Sequence, residues 1–191
     1  MKIDGVILAG GLSSRMGQDK ALLTRDHRDM FFYTLDTVQA LSLSDIFISR
    51  NPSQVSYLTR LTTISDQFQN LGPLGGIHAI AQQSHADALL IVPIDLPLLE
   101  TKDLEKLISM GEVMHKPIYF HDHYLPLFLP LNDTTRNYLN DVVTGQVTSK
   151  SVKAMCRHFQ GISLSPDNQG RLQNTNTPEQ WLAAKLEIME M

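Results

Sequence analysis

At 191 residues the chain has the length of one domain, or of one domain with a small annex, and it can bury a core without a metal or disulfide staple. Its 16 Lys and Arg against 20 Asp and Glu leave a net charge of −4, which argues against a general binder of nucleic-acid phosphates but leaves room for one local basic pocket. The one cysteine, Cys156, excludes an internal disulfide framework and a cysteine-based zinc cluster, and reads as a small buried or half-buried thiol.

In chain order, residues 3–8 read as a buried strand that feeds a Gly/Ser-rich loop. Phe32, Leu35, Val38 and Leu41 give residues 31–42 a helical spacing, and residues 45–49 form a short strand closed by Asn51-Pro52. A helical piece over 53–60 and a strand over 61–64 follow, then a loop over 66–76 and a helix marked by Ile77, Ile80 and Ala81. The run from Ala88 to Val92 is apolar on both faces, as central parallel strands are. It is also the core of the greasiest stretch, Ala88–Ile94, far short of the roughly 20 residues of a membrane span. The first residues lack the basic segment of a signal peptide, so a soluble cytoplasmic protein is expected, with no membrane or nucleic-acid partner. Thr101 reads as the cap of a helix reaching Met110, with Asp103 and Glu105 in its first turn.

The alternation of strand and helix over residues 1–110 predicts a parallel sheet with helices on both faces. Beyond it, strands over 116–120 and 124–129 flank His121-Asp122-His123, helices fit 133–142 and 149–158, and a terminal helix runs from Thr177 to Met189. The whole reads as one α/β domain, with a nucleotide-binding half over 1–110 and an acceptor half over 111–191. A monomer is expected. Trp181, Leu182 and Leu186 form a helical stripe expected in the core, while Arg50, Arg60, Arg157 and Arg171 are scattered and expected in solvent.

Seven of the eleven glycines fall in two clusters, Gly5, Gly10, Gly11 and Gly17, then Gly72, Gly75 and Gly76. The first cluster lies in Leu8-Ala9-Gly10-Gly11-Leu12-Ser13-Ser14-Arg15-Met16-Gly17-Gln18-Asp19-Lys20, directly after a strand. Successive N–H groups in such a loop cradle an anion, and Arg15 and Lys20 add positive charge beside it. Neither G-x-x-x-x-G-K-[ST] nor G-x-G-x-x-G is present. Asp95, in Val92-Pro93-Ile94-Asp95-Leu96-Pro97, sits at the carboxyl end of the most apolar strand, where a carboxylate is costly unless solvated, paired or bound to a cation. One carboxylate with substrate phosphates and waters is a common way to hold Mg²⁺.

Taken together, these segments resemble the molybdenum cofactor guanylyltransferases. The resemblance runs through Leu8-Ala9-Gly10-Gly11, Ser13, Arg15, Met16, Gly17 and Asp19-Lys20-Ala21-Leu22. It continues in Ile48-Ser49-Arg50-Asn51, Asp66, Gly72-Pro73-Leu74-Gly75-Gly76-Ile77, Pro93-Ile94-Asp95-Leu96-Pro97 and Asn174-Thr175-Asn176-Thr177-Pro178-Glu179. It implies a three-layer Rossmann-like nucleotidyltransferase that joins GMP from Mg-GTP to the phosphate of molybdenum-molybdopterin and releases pyrophosphate. By the same resemblance Leu8, Ala9 and Gly10 hold GTP through backbone groups, with Gly11 completing the turn. Lys20 and Arg15 lie on the phosphates, Asn51 and Asp66 contact the nucleoside, and Asp95 binds nucleotide and Mg²⁺. Asn174 and Asn176 match a late Asn-x-Asn near the pterin side or the metal. Molybdenum-insertion and molybdoenzyme-maturation proteins are the implied partners.

Two departures from the family pattern stand out. The loop up to Lys20 is short by one residue against other members, and the expected His-Pro pair is replaced by His123-Tyr124-Leu125-Pro126. Other readings weighed are a molybdopterin cytidylyltransferase, a nucleotidyltransferase for a sugar or polyol phosphate, and a non-catalytic nucleotide-binding protein. The first two families tend to carry Ala-Ala-Gly after the strand and some carry Pro-Lys, where this chain has Gly10-Gly11 and Asp19-Lys20. His121 and His123 lack a visible third zinc ligand, and Ser13-Ser14 lacks the G-x-S-x-G elbow of a serine nucleophile.

Overall fold

The computed structural model describes residues 1–10, 19–25, 27–50, 62–65 and 71–189. Its framework is a central sheet of β1 (Ile3–Leu8), β4 (Ile46–Arg50), β5 (Thr62–Ser65), β6 (Ala88–Pro93), β7 (Ile118–Phe120), β8 (His123–Pro130) and β9 (Ile162–Leu164). A small antiparallel hairpin, β2 (Thr24–Arg25) with β3 (Arg28–Asp29), stands apart from it. Among the described residues the main sheet has seven strands in the order β5-β4-β1-β6-β8-β7-β9. β1, β4, β5 and β6 are mutually parallel, and β8 alone runs against its two neighbours. The expected mostly parallel α/β sheet is therefore observed. The helical piece expected over 53–60 lies outside the described residues.

Six helices cover the sheet among the described residues: α1 (Met30–Gln39), α2 (Pro73–Ala81), α3 (Thr101–Met114), α4 (Asp133–Val143), α5 (Val152–His158) and α6 (Pro178–Met189). Strand period two sorts their partners. Ile3, Ile7, Leu90, Val92 and Phe128 point to one face and pack with Phe31, Leu104, Leu107 and Trp181 of α1, α3 and α6. Val6, Leu89, Ile91, Leu127 and Leu129 point to the other and pack with Ile77, Leu139 and Met155 of α2, α4 and α5. β6 is buried over its whole length, which explains why its sequence is apolar at every position. Cys156 is buried as expected, and burial pushes its thiol up to about 12. No described helix is long and apolar enough to cross a membrane.

Four local expectations are corrected. The N-cap of α3 is Glu100, not Thr101; its N–H donates to Asp103 Oδ2 at 3.1 Å, and Thr101 is already the first helical residue. In α6 only Trp181 of the expected stripe is buried, while Leu182 and Leu186 are 60% and 57% exposed, because the helix rests on the sheet through one narrow edge. Arg50 and Arg171 are buried and half-buried rather than solvated, since each finds carboxylates: Asp19 for the first, Glu100 and Asp103 for the second. The strand β9, which the sequence reading missed, has only three residues and lies at the sheet edge.

Two glycines set how closely helices approach the sheet. A Cβ on Gly111 of α3 would lie 2.2 Å from the Phe128 ring, and one on Gly76 of α2 would lie 2.1 Å from Ser49 Oγ at the end of β4. Gly111→Ala is expected to destabilise the protein by about 1–3 kcal/mol through overpacking, read as a lower midpoint in thermal or urea unfolding.

Candidate functional site

From β1 the chain builds outward to β4 and β5, then crosses back to lay β6 on the other side of β1. Winding reverses between β1 and β6, and open α/β sheets bind ligands beyond the carboxyl ends of strands at such a reversal. Leu8 stands opposite Pro93 at that end. The Leu8 carbonyl accepts from Ile94 N–H at 3.2 Å, and Ala9 N–H donates to the Ser49 carbonyl at 2.9 Å. Gly10 is exposed and offers the first backbone groups past this ladder.

Lys20 opens a three-residue 3₁₀ turn, Lys20–Leu22, that is pinned by buried Ala21 and Leu23. Its Nζ reaches Asp95 Oδ2 at 3.2 Å and Asn176 Oδ1 at 2.5 Å, so three predicted residues, separated by up to 156 positions, meet at one point. Lys20 and Asp95 are each 17% exposed, half-sheltered and still open to a ligand. Asn174 is solvent-exposed. Gly11, Arg15, Asn51 and Asp66 lie outside the described residues; Asn51 and Asp66 directly follow in sequence the last residues of β4 and β5.

The late Asn-x-Asn segment is held there by the residue between its two asparagines. Thr175 is buried and donates twice to the Asp95 carbonyl, from N–H at 2.9 Å and from Oγ1 at 3.2 Å. Upstream, the Arg171 guanidinium lies 3.1 Å from Glu100 Oε1 and 3.3 Å from Asp103 Oδ1, tying the terminal segment to the start of α3. On the opposite flank Arg25 donates to the Pro97 carbonyl and stacks 3.6 Å over the Tyr33 ring, and Tyr33 Oη donates to the Leu99 carbonyl at 2.6 Å. Burial pushes the Tyr33 hydroxyl above its usual range, so it stays protonated as that donor. Thr175, Arg171, Arg25 and Arg50 escaped the sequence reading as site residues. Thr175 and Arg50 lie inside recognised motifs, which was the one signal for them.

Asp95 decides whether the residues suit a cation. Its Oδ2 receives Lys20, whereas Oδ1 is buried and has no hydrogen-bond partner among the described residues. An unsatisfied buried carboxylate oxygen is costly, and it suits a divalent cation. Among the described residues no three His, Cys, Asp or Glu side chains gather to hold a metal. Substrate oxygens and waters would complete the shell, as in phosphate-handling sites with one protein carboxylate.

A mostly parallel sheet thus sets a lysine and a carboxylate facing each other beyond its central strands, at the end where such sheets bind ligands. Residues 5–131 match the MobA-like NTP transferase domain, and the chain belongs to that family. It is 34% identical to a molybdenum cofactor guanylyltransferase of Xanthomonas euvesicatoria, over 93% of this chain and 91% of that protein. Among solved structures, molybdopterin-guanine dinucleotide biosynthesis protein A of Archaeoglobus fulgidus superposes with a TM-score of 0.81 at 17% identity, over 98% of this chain and 100% of that one. A 2-C-methyl-D-erythritol 4-phosphate cytidylyltransferase of Thermus thermophilus shares the fold at a TM-score of 0.74 and 9% identity, over 99% and 100% of the two chains.

Thr175→Val removes one of the two hydrogen bonds to the Asp95 carbonyl and keeps the other. It is expected to cost about 1 kcal/mol, measured by urea unfolding.

Proposed function

We propose that the protein transfers GMP from Mg-GTP to the terminal phosphate of molybdenum-molybdopterin, forming the guanine dinucleotide cofactor and releasing pyrophosphate. The observation that carries this reading is the meeting of Lys20, Asp95 and Asn176 at the winding reversal of the sheet. Relatives a third identical over nearly the whole chain and named for this activity support it.

The acceptor phosphate is already an anionic nucleophile, so the reaction needs alignment and charge neutralisation rather than a general base. An acceptor oxygen attacks the α-phosphorus as the bond to the α–β bridging oxygen breaks, and pyrophosphate departs with that electron pair. Lys20 neutralises phosphate charge, joined in this reading by Arg15, while the backbone of Leu8, Ala9, Gly10 and Gly11 cradles the nucleotide and Asn51 and Asp66 hold the nucleoside. Asp95, whose Oδ1 has no hydrogen-bond partner among the described residues, would hold Mg²⁺, and the ion would supply further neutralisation of the phosphates. Asn176, with Asn174 two residues before it, lies on this reading near the pterin side or the metal. On this reading the protein works as a cytoplasmic monomer between molybdenum-insertion proteins and those that mature molybdoenzymes.

The test is calorimetric titration with GTP, CTP, ATP and UTP, with and without Mg²⁺, followed by transfer assays. Selective Mg²⁺-dependent binding of GTP, abolished in Asp95→Ala, is expected, and Lys20→Ala is expected to lower the transfer rate about 10²–10³-fold. A preference for CTP moves the assignment to a cytidylyltransferase. An unchanged rate in Lys20→Ala removes the lysine from the chemistry.

A further inference from the structure

We propose that the ion pair between buried Arg50 and half-buried Asp19 is a latch that sets the position of Lys20, which makes Arg50 a positioning residue; the proposal rests on the role given to Lys20 above. Arg50 is the last residue of β4, with a side chain only 2% exposed, and its Nη2 donates to Asp19 Oδ2 at 2.5 Å. Asp19 is itself 18% exposed. Its second oxygen, Oδ1, accepts from Ala21 N–H at 3.0 Å and caps the turn that begins with Lys20. One carboxylate thus joins the lysine-bearing turn to the rigid carboxyl end of the sheet.

A structural need alone accounts poorly for such a pair. Taking the Arg50 charge and much of the Asp19 charge out of water carries a desolvation cost, and apolar replacements of similar volume are often no less stabilising. What the pair adds is placement. A turn of three residues has little stiffness of its own, and a lysine side chain brings rotamer entropy that must be lost when it is held. Asp95 and Asn176 hold the ammonium end, and Ala21, Leu23 and Asp19 hold the backbone end.

The latch also has an electrostatic role. Asp19 is the immediate neighbour of Lys20 in sequence and brings a second carboxylate that competes for the ammonium. Engaged by Arg50 and by Ala21 N–H, it is withheld from Lys20, whose charge stays directed at Asp95 and at the phosphates. Removing Arg50 therefore frees Asp19 to draw Lys20 away from the crevice.

The test uses the full chain with Arg50→Met, Arg50→Lys and Asp19→Asn, the last keeping an oxygen to cap the turn. The first readout needs no assumption about the reaction: competitive acetylation of lysines, mapped by mass spectrometry. Arg50→Met and Asp19→Asn are expected to raise labelling of Lys20 several-fold and to leave exposed Lys102 and Lys150 as they were. The second readout is transfer kinetics, where Arg50→Met lowers kcat about 10- to 100-fold with a smaller change in KM for GTP, and Arg50→Lys recovers part of the loss. In a Lys20→Ala background Arg50→Met is expected to cost nothing more. Unchanged Lys20 labelling in variants that fold, or an equal loss of kcat in both backgrounds, overturns the latch, as does failure of both Arg50→Met and Asp19→Asn to fold. Altered Lys20 labelling in a protein whose wild type transfers no nucleotide leaves the latch standing and removes the proposed reaction instead.

Discussion

Lys20 and Asp95 are 75 residues apart in the chain and 3.2 Å apart in space, and much of the architecture serves that distance. A lysine brought in by the loop after β1 can meet a carboxylate brought in by the loop after β6 only if those strands are neighbours and point the same way. The crossover that places β6 beside β1 supplies both conditions, and the buried, fully apolar β6 keeps its end from shifting. Opposite charges at this separation, half-shielded from water, attract more strongly than a surface pair, and they stay close enough to solvent to exchange partners with a polyanionic ligand.

Around that contact the chain is stapled from three sides by groups whose charge sits low in the structure. Arg50 holds the turn that carries Lys20. Arg25 ties the small hairpin to the Pro97 carbonyl, just beyond Asp95. Arg171 binds Glu100 and Asp103, and so sets the path of the segment that delivers Thr175 and Asn176. A guanidinium suits each place because its planar set of donors can serve a carboxylate or a carbonyl at fixed geometry, which an ammonium does less well. Lys20, by contrast, is a compact point charge on a flexible stem, suited to following a phosphate.

The terminal segment gives the second half of the chain a direct part in the site. Thr175 docks its backbone and hydroxyl on the Asp95 carbonyl, so Asn176 arrives at Lys20 from the opposite end of the sequence. α6 then leaves across the sheet with only Trp181 and Ala184 buried. Residues from both halves of the chain thereby share one ammonium.

The sequence by itself determined the mostly parallel α/β sheet, because apolar runs and helical spacing are local properties that survive in any single segment. It also singled out Lys20 and Asp95, since glycines beside basic residues after one strand, and a carboxylate ending the most apolar strand, are unusual enough to read without neighbours. It misread Arg50 and Arg171 as solvated and Leu182 and Leu186 as core, and it left Thr175 without a role. Those outcomes depend on which distant carboxylate lies within reach, or on how much of a helix face the sheet covers. Only the tertiary structure decided them. A side chain's charge is written in the sequence, but its burial and its partner are set by segments up to 156 residues away.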